Sequence, residues 1–303
     1  MSHSFIRCVS AAALLLLAFP VVAETPEPSG WSFSLDGGFA VQSEVDLDRD
    51  GGAFSNDRDF WSLGVDYRWN YRNSIGVSLG IGSTEYDFVS APGSAAVGPW
   101  SDMDEWRVSL PSRWALGDTS TLFIIPSLRD YSEKGAAGDG DTWSLLAGVA
   151  WRRSESLTIG PGLGVFSRLE DDARVFPILL IDWKLSERWE LSTGQGLAAS
   201  QGPGLTLGYQ LSPQWRLGLT GRFEEIQFRL DETGVAPGGV GEDSSLPLIF
   251  TAAWSPSPQV RLAAFAGMKL AGELAVYDRS GDRLQRDDYD AAGIYGVTIE
   301  FRN

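Results

Sequence analysis

Apolar and polar residues alternate one for one through most of this chain. In the cleanest stretch Trp61, Leu63, Val65, Tyr67 and Trp69 share one face, while Phe60, Ser62, Gly64, Asp66 and Arg68 share the other. Further on, Ile75, Val77, Leu79 and Ile81 alternate with Gly76, Ser78, Gly80 and Gly82. A helix would scatter these residues round its axis. A pleated strand sends successive side chains to opposite faces, so the pattern predicts β-strands. The same reading covers Trp31 to Gln42, Trp106 to Trp114, Trp143 to Trp151, Leu157 to Val165, Val175 to Trp183, Leu205 to Tyr209, Trp215 to Phe223, residues 246–254 and 260–276, and Tyr289 to Phe301. The run 122–131 is mixed, because Phe123 and Ile125 put apolar side chains on its second face.

The stretch Trp183-Lys184-Leu185-Ser186-Glu187-Arg188-Trp189 shows how runs are joined: one alternating run enters, a polar turn follows, and another run leaves. Variants stand at Trp69–Ser74, Trp114–Thr119, Trp151–Ser156, Tyr209–Trp215 and Trp254–Gln259. Six such units make an internal repeat of hairpins. With a first and a last run they predict fourteen strands. Twelve is the alternative, because the run at 204–211 is short and Gln201-Gly202-Pro203-Gly204 is a small connection. The remaining connections, 44–59, 85–104, 132–141, 227–244 and 277–288, are longer and rich in Gly and acid. Pro111, Pro126, Pro161, Pro177 and Pro247 fall within runs, where each removes a ladder donor, so bulges or strand ends are their expected places.

Aromatic rings end the runs on the apolar side, where a ring sits between lipid and water. Trp69, Trp114, Trp151, Trp183, Trp189, Trp215 and Trp254 flank the short turns, and Trp61, Trp106 and Trp143 lie one span away as a second girdle. Together these features predict an all-β chain: a transmembrane antiparallel up-and-down β-barrel over residues 31–303, with short turns on the periplasmic side and long connections outside. Arg7, the apolar run Ala11 to Phe19 and Val21-Val22-Ala23 before Glu24 read as a cleaved secretory signal peptide over residues 1–23. Residues 24–30 read as a short periplasmic tail. The apolar run is short of the roughly 20 residues that a spanning helix needs.

The sole His (His3) and the sole Cys (Cys8) lie in that leader, so the rest of the chain has no disulfide. Losing the leader removes Arg7 and no acid, which deepens a net charge of −16. A chain this acidic is unsuited to nucleic acid, whose binding needs a cationic surface. On the faces predicted to point inward stand Arg68, Arg107, Arg113, Arg129, Arg168, Arg174, Arg216, Arg222, Arg261 and Lys269, with Asp36, Asp66, Asp182, Glu190, Glu224 and Glu300 among them. In a water-filled lumen, arginines facing acids set a transverse field and select anionic or zwitterionic solutes. The alternative is an ion-pair network filling a narrow or plugged barrel.

Two motifs invite other chemistry. Asp46, Asp48, Asp50, Gly52 and Asp57 match the spacing of an EF-hand-type calcium loop, with Gly51 at the sharp turn; Asp57 replaces the usual Glu and flanking helices are absent. A solvated acidic loop is the other reading. Gly160-Pro161-Gly162-Leu163-Gly164, Gly80-Ile81-Gly82 and Gly194-Gln195-Gly196 suggest a phosphate loop, but no helix follows, so small inward residues that widen the interior are the better account.

The alternation, girdles and closing Tyr295, Val297, Ile299 and Phe301 together resemble bacterial outer-membrane β-barrel proteins, over residues 31–303. Among these the chain looks most like porin-like barrels of a domain of unknown function. Arg302 and Asn303 follow the Phe on which the usual pattern ends. The resemblance implies assembly by the barrel-assembly machinery, contact with outer-membrane lipid and lipopolysaccharide, and passage of small solutes. A non-conducting structural barrel, or one that binds through its acidic outer loops, is the competing function. Enzymatic barrels rely on a catalytic His, and residues 24–303 contain none, so an enzyme is not expected.

Overall fold

The computed structural model describes residues 29–48, 52–70, 72–90, 98–136, 140–193 and 204–303. The expected leader, most of the tail, Asp50 and Gly194-Gln195-Gly196 lie outside them. The alternating runs are strands: β1 (Gly30–Asp46), β2 (Ala53–Asn70), β3 (Asn73–Val89), β4 (Met103–Ser109), β5 (Ser112–Leu116), β6 (Ser120–Glu133), β7 (Asp141–Arg152), β8 (Leu157–Arg168) and β9 (Asp171–Lys184). There follow β10 (Trp189–Thr193), β11 (Gly204–Gln210), β12 (Trp215–Arg222), β13 (Glu224–Arg229), β14 (Val240–Ser257), β15 (Val260–Tyr277), β16 (Arg283–Tyr289) and β17 (Ala292–Arg302).

Sequential neighbours pair antiparallel, and β1 pairs with β17 from Ser34↔Arg302 to Gln42↔Ile294, which closes the sheet. Three crossings consist of two segments each, β4 with β5, β12 with β13 and β16 with β17, interrupted at Leu110-Pro111, Phe223 and Asp290-Ala291. The wall is therefore a closed barrel of fourteen staves, the larger of the two counts expected. All six repeated units are hairpin turns at one end of the barrel. Pro111 lies in a break, Pro161 lies where the β7–β8 pairing lapses, and Pro247 follows a bulge between Ser244 and Leu246. Pro126 and Pro177, against expectation, stand inside paired ladders opposite Leu145 and Leu163.

Register decides which side chains meet. Leu63 stands between Leu35 and Leu79, and Val65 between Phe33 and Val77, so outward residues form one apolar belt. They are exposed to the surroundings, Leu63 by 51% and Leu79 by 50%, which in water would be a liability and in lipid is the favourable state. At the turn end rings of the girdle meet in tilted or edge-on contact: Trp31 with Tyr67 (5.1 Å), Tyr67 with Trp69 (5.6 Å), Trp69 with Trp114 (5.6 Å) and, separately, Trp189 with Tyr209 (4.8 Å). Each such pair adds about 0.5–1.5 kcal/mol beyond its burial. The two residues after Phe301 finish the seam. The Phe33 N–H donates to Asn303 Oδ1 (2.7 Å), the Asn303 N–H donates to the Phe33 carbonyl (3.1 Å), and Arg302 reaches Asp36 (3.7 Å).

The long connections are shorter than expected, because strands continue into them. β2 begins at Ala53 and β3 runs to Val89, so most of 44–59 and the start of 85–104 are paired; 132–141, 227–244 and 277–288 are invaded in the same way. Beyond the lipid belt the outward face turns polar, and period-two alternation loses the apolar half of its signal.

At this far end five adjacent staves break at one level. The breaks are a register shift between Gln42 and Val45, Phe223 between β12 and β13, the bulge at Ser244–Leu246, Ala271 opposite it with φ 49°, and Asp290-Ala291 between β16 and β17. A left-handed alanine costs about 1–2 kcal/mol, so packing must hold it there. Above this line the sheet folds inward. β13 crosses to the facing wall, where Arg229 bridges Ser132 of β6 and the Asp231 N–H donates to Glu133 (2.9 Å). Ile226, Phe228, Leu274, Val276 and Tyr289 from the folded side pack on Phe54, Trp100, Met103 and Tyr131 from the other. The far mouth is thus a two-layered sandwich with an apolar core.

If the belt faces lipid, Leu79→Arg should lower stability by about 2–4 kcal/mol, as an arginine at mid-depth does. The inward Ser78→Arg should cost far less. Urea unfolding in lipid vesicles measures both, and equal losses would contradict the assigned faces.

Candidate functional site

The inner surface is built in tiers by the same parity that builds the belt. Residues directly opposite in an antiparallel ladder share a face, and Arg68, Ser74, Arg113, Phe123 and Gly148 are linked in this way. Nearest the turns stand Arg68, Arg113 and Asp182, all exposed, and Asp66, half-buried. Arg216 pairs with Glu190 (3.1 Å) and Arg261 with Glu300 (3.7 Å) in the same half. The middle tier is hydroxylic: Ser62 with Ser78 (3.1 Å), Ser109 with Ser127 (2.9 Å) and Thr206 with Thr220 (2.9 Å).

The densest charge lies around the line of breaks, on both sides of it. Glu105 receives Arg107 (2.7 Å), Arg58 (3.0 Å) and Arg129 (3.0 Å), and Arg222 faces Glu224 (3.4 Å). Arg168 joins Glu242 (2.8 Å), Glu225 (3.4 Å) and Asp171, and Arg174 also contacts Glu225. Lys269 donates to Asp243 (2.9 Å) and to Gln42 (2.9 Å), while the Tyr289 hydroxyl donates to Asp243 (2.9 Å). All four residues of this last network are buried. It ties β1, β14, β15 and β16 together at the level where the sheet bends.

The inward charged residues expected from sequence are therefore divided. Arg107 and Arg129 converge on one acid, Arg168 and Arg174 on another, and Arg68, Arg113, Asp66 and Asp182 line the wider half. Sequence reasoning missed Arg58, which it left in the 44–59 connection, and Glu105, which stands between the 85–104 connection and the run that opens at Trp106. Their parity was legible: Arg58 continues Phe60 and Ser62, and Glu105 continues Arg107 and Ser109. Glu225, Glu242 and Asp243 lie beyond the breaks at Phe223 and Ser244, where parity no longer carries through.

The wall is not charged all round. On β6 to β9 the inward residues are Phe123, Ile125, Leu146, Phe166, Phe176, Ile178 and Leu180. The inward glycines accommodate these rings. A Cβ on Gly164 would fall 2.1 Å from the Phe176 ring, and one on Gly148 2.8 Å from the Phe123 ring. The glycines therefore seat aromatic side chains against the wall and do not simply widen the interior.

The acidic stretch from Asp46 to Asp57 is not one loop. Asp46 pairs with Ala53, and Asp57 lies four residues further along β2, opposite Val41 and Glu85 on the outward face. The register thus parts Asp57 from Asp46, Asp48 and Gly52, against the loop arrangement expected of a calcium site. Among the described residues no three His, Cys, Asp or Glu side chains are grouped to hold a metal.

No protein-family model matches the chain, and no curated protein matches it. Among solved structures it is similar to the KdgM porin in complex with disordered oligogalacturonate, at 8% identity and a TM-score of 0.38, over 88% of this chain and 98% of that one. It is similar to a Pseudomonas aeruginosa FadL homologue at 11% identity and a TM-score of 0.43, over 89% of each chain. The outer membrane channel DcaP of Acinetobacter baumannii gives 11% and 0.40, over 91% of this chain and 98% of that one. The assignment as a barrel rests on this chain's own closed ladder.

The Lys269 network yields a stability test. Lys269→Met leaves the Asp243 carboxylate buried without its cation and should cost about 3–5 kcal/mol. Adding Asp243→Asn should recover most of that loss. Urea midpoints of the single and double variants in vesicles provide the check.

Proposed function

We propose that this chain is an outer-membrane barrel that passes small solutes and whose outer mouth is closed in the conformation described here. The observation that carries the proposal is the pairing of an apolar outer belt with a charged, hydroxyl-bearing inner wall, which has no purpose in a barrel filled only with core. On this reading the turns lie in the periplasm and the sandwich faces outward. The girdle rings contact outer-membrane lipid and lipopolysaccharide, and the barrel-assembly machinery handles the closing strand. Solute enters from one side once the folded sheet swings off Phe54, Trp100 and Tyr131.

A second reading has its own support. The aromatic core of the mouth is completely buried at Phe54 and Phe228, as in a permanent structural element. A non-conducting barrel would look like this.

Planar-bilayer recording separates the two. A closed channel should open rarely as the native chain and at least tenfold more often as Phe228→Asp, whose carboxylate cannot stay in the apolar core. Silence from both proteins, in bilayers where insertion is verified, would establish the non-conducting reading.

A further inference from the structure

From Arg107 and Arg129 in the outer half to Arg216 and Arg261 in the turn-end half, inward arginines contact carboxylates. Arg68 and Arg113 break this habit. Both are exposed, and among the described residues neither has an acid within ion-pair distance. They stand on one rung of the ladder: Arg68 of β2 is opposite Ser74 of β3, Ser74 is opposite Arg113 of β5, and Arg113 is opposite Phe123 of β6. Directly opposed residues share a face, so guanidinium, hydroxyl, guanidinium and ring follow one another across four strands. Strands lie about 4.8 Å apart, so the two arginine Cα atoms are about 10 Å apart, a span that two long side chains close from either side. Ser74 between them is small. The Phe123 ring reaches over Gly148, on the side away from Arg113, so the rung places nothing between ring and guanidinium. Nearer the turns Arg72 reaches Thr121 Oγ1 (3.4 Å) and the Gly117 carbonyl (2.6 Å), and among the described residues it too contacts no carboxylate. The one inward acid beside this group is Asp66, whose carboxylate lies over Gly76, where a Cβ would clash with it. Cation therefore outnumbers acid here, in a chain whose net charge is −16.

We propose that this rung is a binding site for a small aromatic carboxylate of the benzoate type. The carboxylate sits between Arg68 and Arg113 over Ser74, where charge-assisted hydrogen bonds from two guanidiniums meet it. The aromatic ring lies against Phe123, one strand further round, at the separation a benzoate spans. Unpaired guanidiniums give the site its sign, and the adjoining ring gives it a preference for an aromatic body over a bare anion. Because both arginines are exposed, a solute reaches them from the turn end while the far mouth is closed. The site deepens the proposed solute pathway and rests on that reading only in taking the inner wall to face water.

The test is fluorine NMR of the refolded full chain in a non-ionic detergent, with 4-fluorobenzoate, 4-fluorobenzamide and 4-fluorobenzylammonium as probes and protein-free micelles as the blank. The protein should broaden the 4-fluorobenzoate line, and unlabelled benzoate should reverse the broadening at concentrations where acetate does not. The ammonium should show nothing beyond the blank. Arg68→Gln and Arg113→Gln should each weaken 4-fluorobenzoate about tenfold, equivalent to about 1.4 kcal/mol, and the neutral amide should bind the native chain weaker by a similar factor. Arg113→Lys, which keeps the charge, should recover part of that loss. Phe123→Ser should weaken 4-fluorobenzoate about fivefold, the scale of one aromatic contact, and remove the advantage of benzoate over acetate. Arg279→Gln, which removes an exposed cation at the far mouth, should leave binding unchanged. Equal binding of the carboxylate and the amide, or 4-fluorobenzoate binding unmoved in the Arg68→Gln/Arg113→Gln double variant, would overturn the site. Displacement by acetate as readily as by benzoate would overturn the part given to Phe123. A barrel that conducts but does not bind 4-fluorobenzoate refutes this inference alone. One that binds it and never conducts refutes the channel and leaves the site standing.

Discussion

Within a bilayer there is no water to satisfy a free N–H or carbonyl group, so a sheet that crosses it must leave no edge. The pairing of β1 with β17 meets that demand, and everything else follows from it. Asn303 completes the seam by exchanging hydrogen bonds with Phe33, which gives the two residues beyond the terminal Phe a structural place. Once the ring is closed, every side chain between the girdles is either outward in lipid or inward in the lumen. Leu63 and Ser62, adjacent in sequence, belong to different solvents.

The demand ends where the lipid ends. At that level five neighbouring staves break together, and the wall becomes free to bend. It bends inward because Ile226, Phe228, Leu274 and Val276 can bury themselves on Phe54, Trp100 and Tyr131, whereas an open rim would leave them in water. Folding over also carries Asp243 and Lys269 out of water. Such a pair gains little over an apolar core, and removing one partner costs about 3–5 kcal/mol, so neither residue can be lost alone at the bend. Charge and apolar core thus act on the same hinge from its two sides.

Below the closure, the lumen has two unlike walls. Ion pairs dominate β2 to β4 and β12 to β17, while rings seated on glycines dominate β6 to β9.

Much of this was legible in the sequence. Period-two alternation and the repeated Trp-flanked turns specify strands and the lipid-facing residues and leave a count of fourteen or twelve, because lipid imposes a rule on every second residue that no local context can override. Inward placement of Arg107, Arg129 and Lys269 followed from the same rule. Beyond the lipid the rule lapses. Arg58 lay in a stretch read as a connection, Glu105 stood just ahead of the run that opens at Trp106, and Phe228 looked like part of a loop. The grouping of three arginines on Glu105, the parting of Asp57 from Asp46 and the closure of the mouth depend on register and on breaks at Phe223 and Ala271. Those are properties of how strands meet across the ring, and partners such as Arg229 and Ser132, 97 residues apart, leave no mark on each other's neighbourhood in the chain.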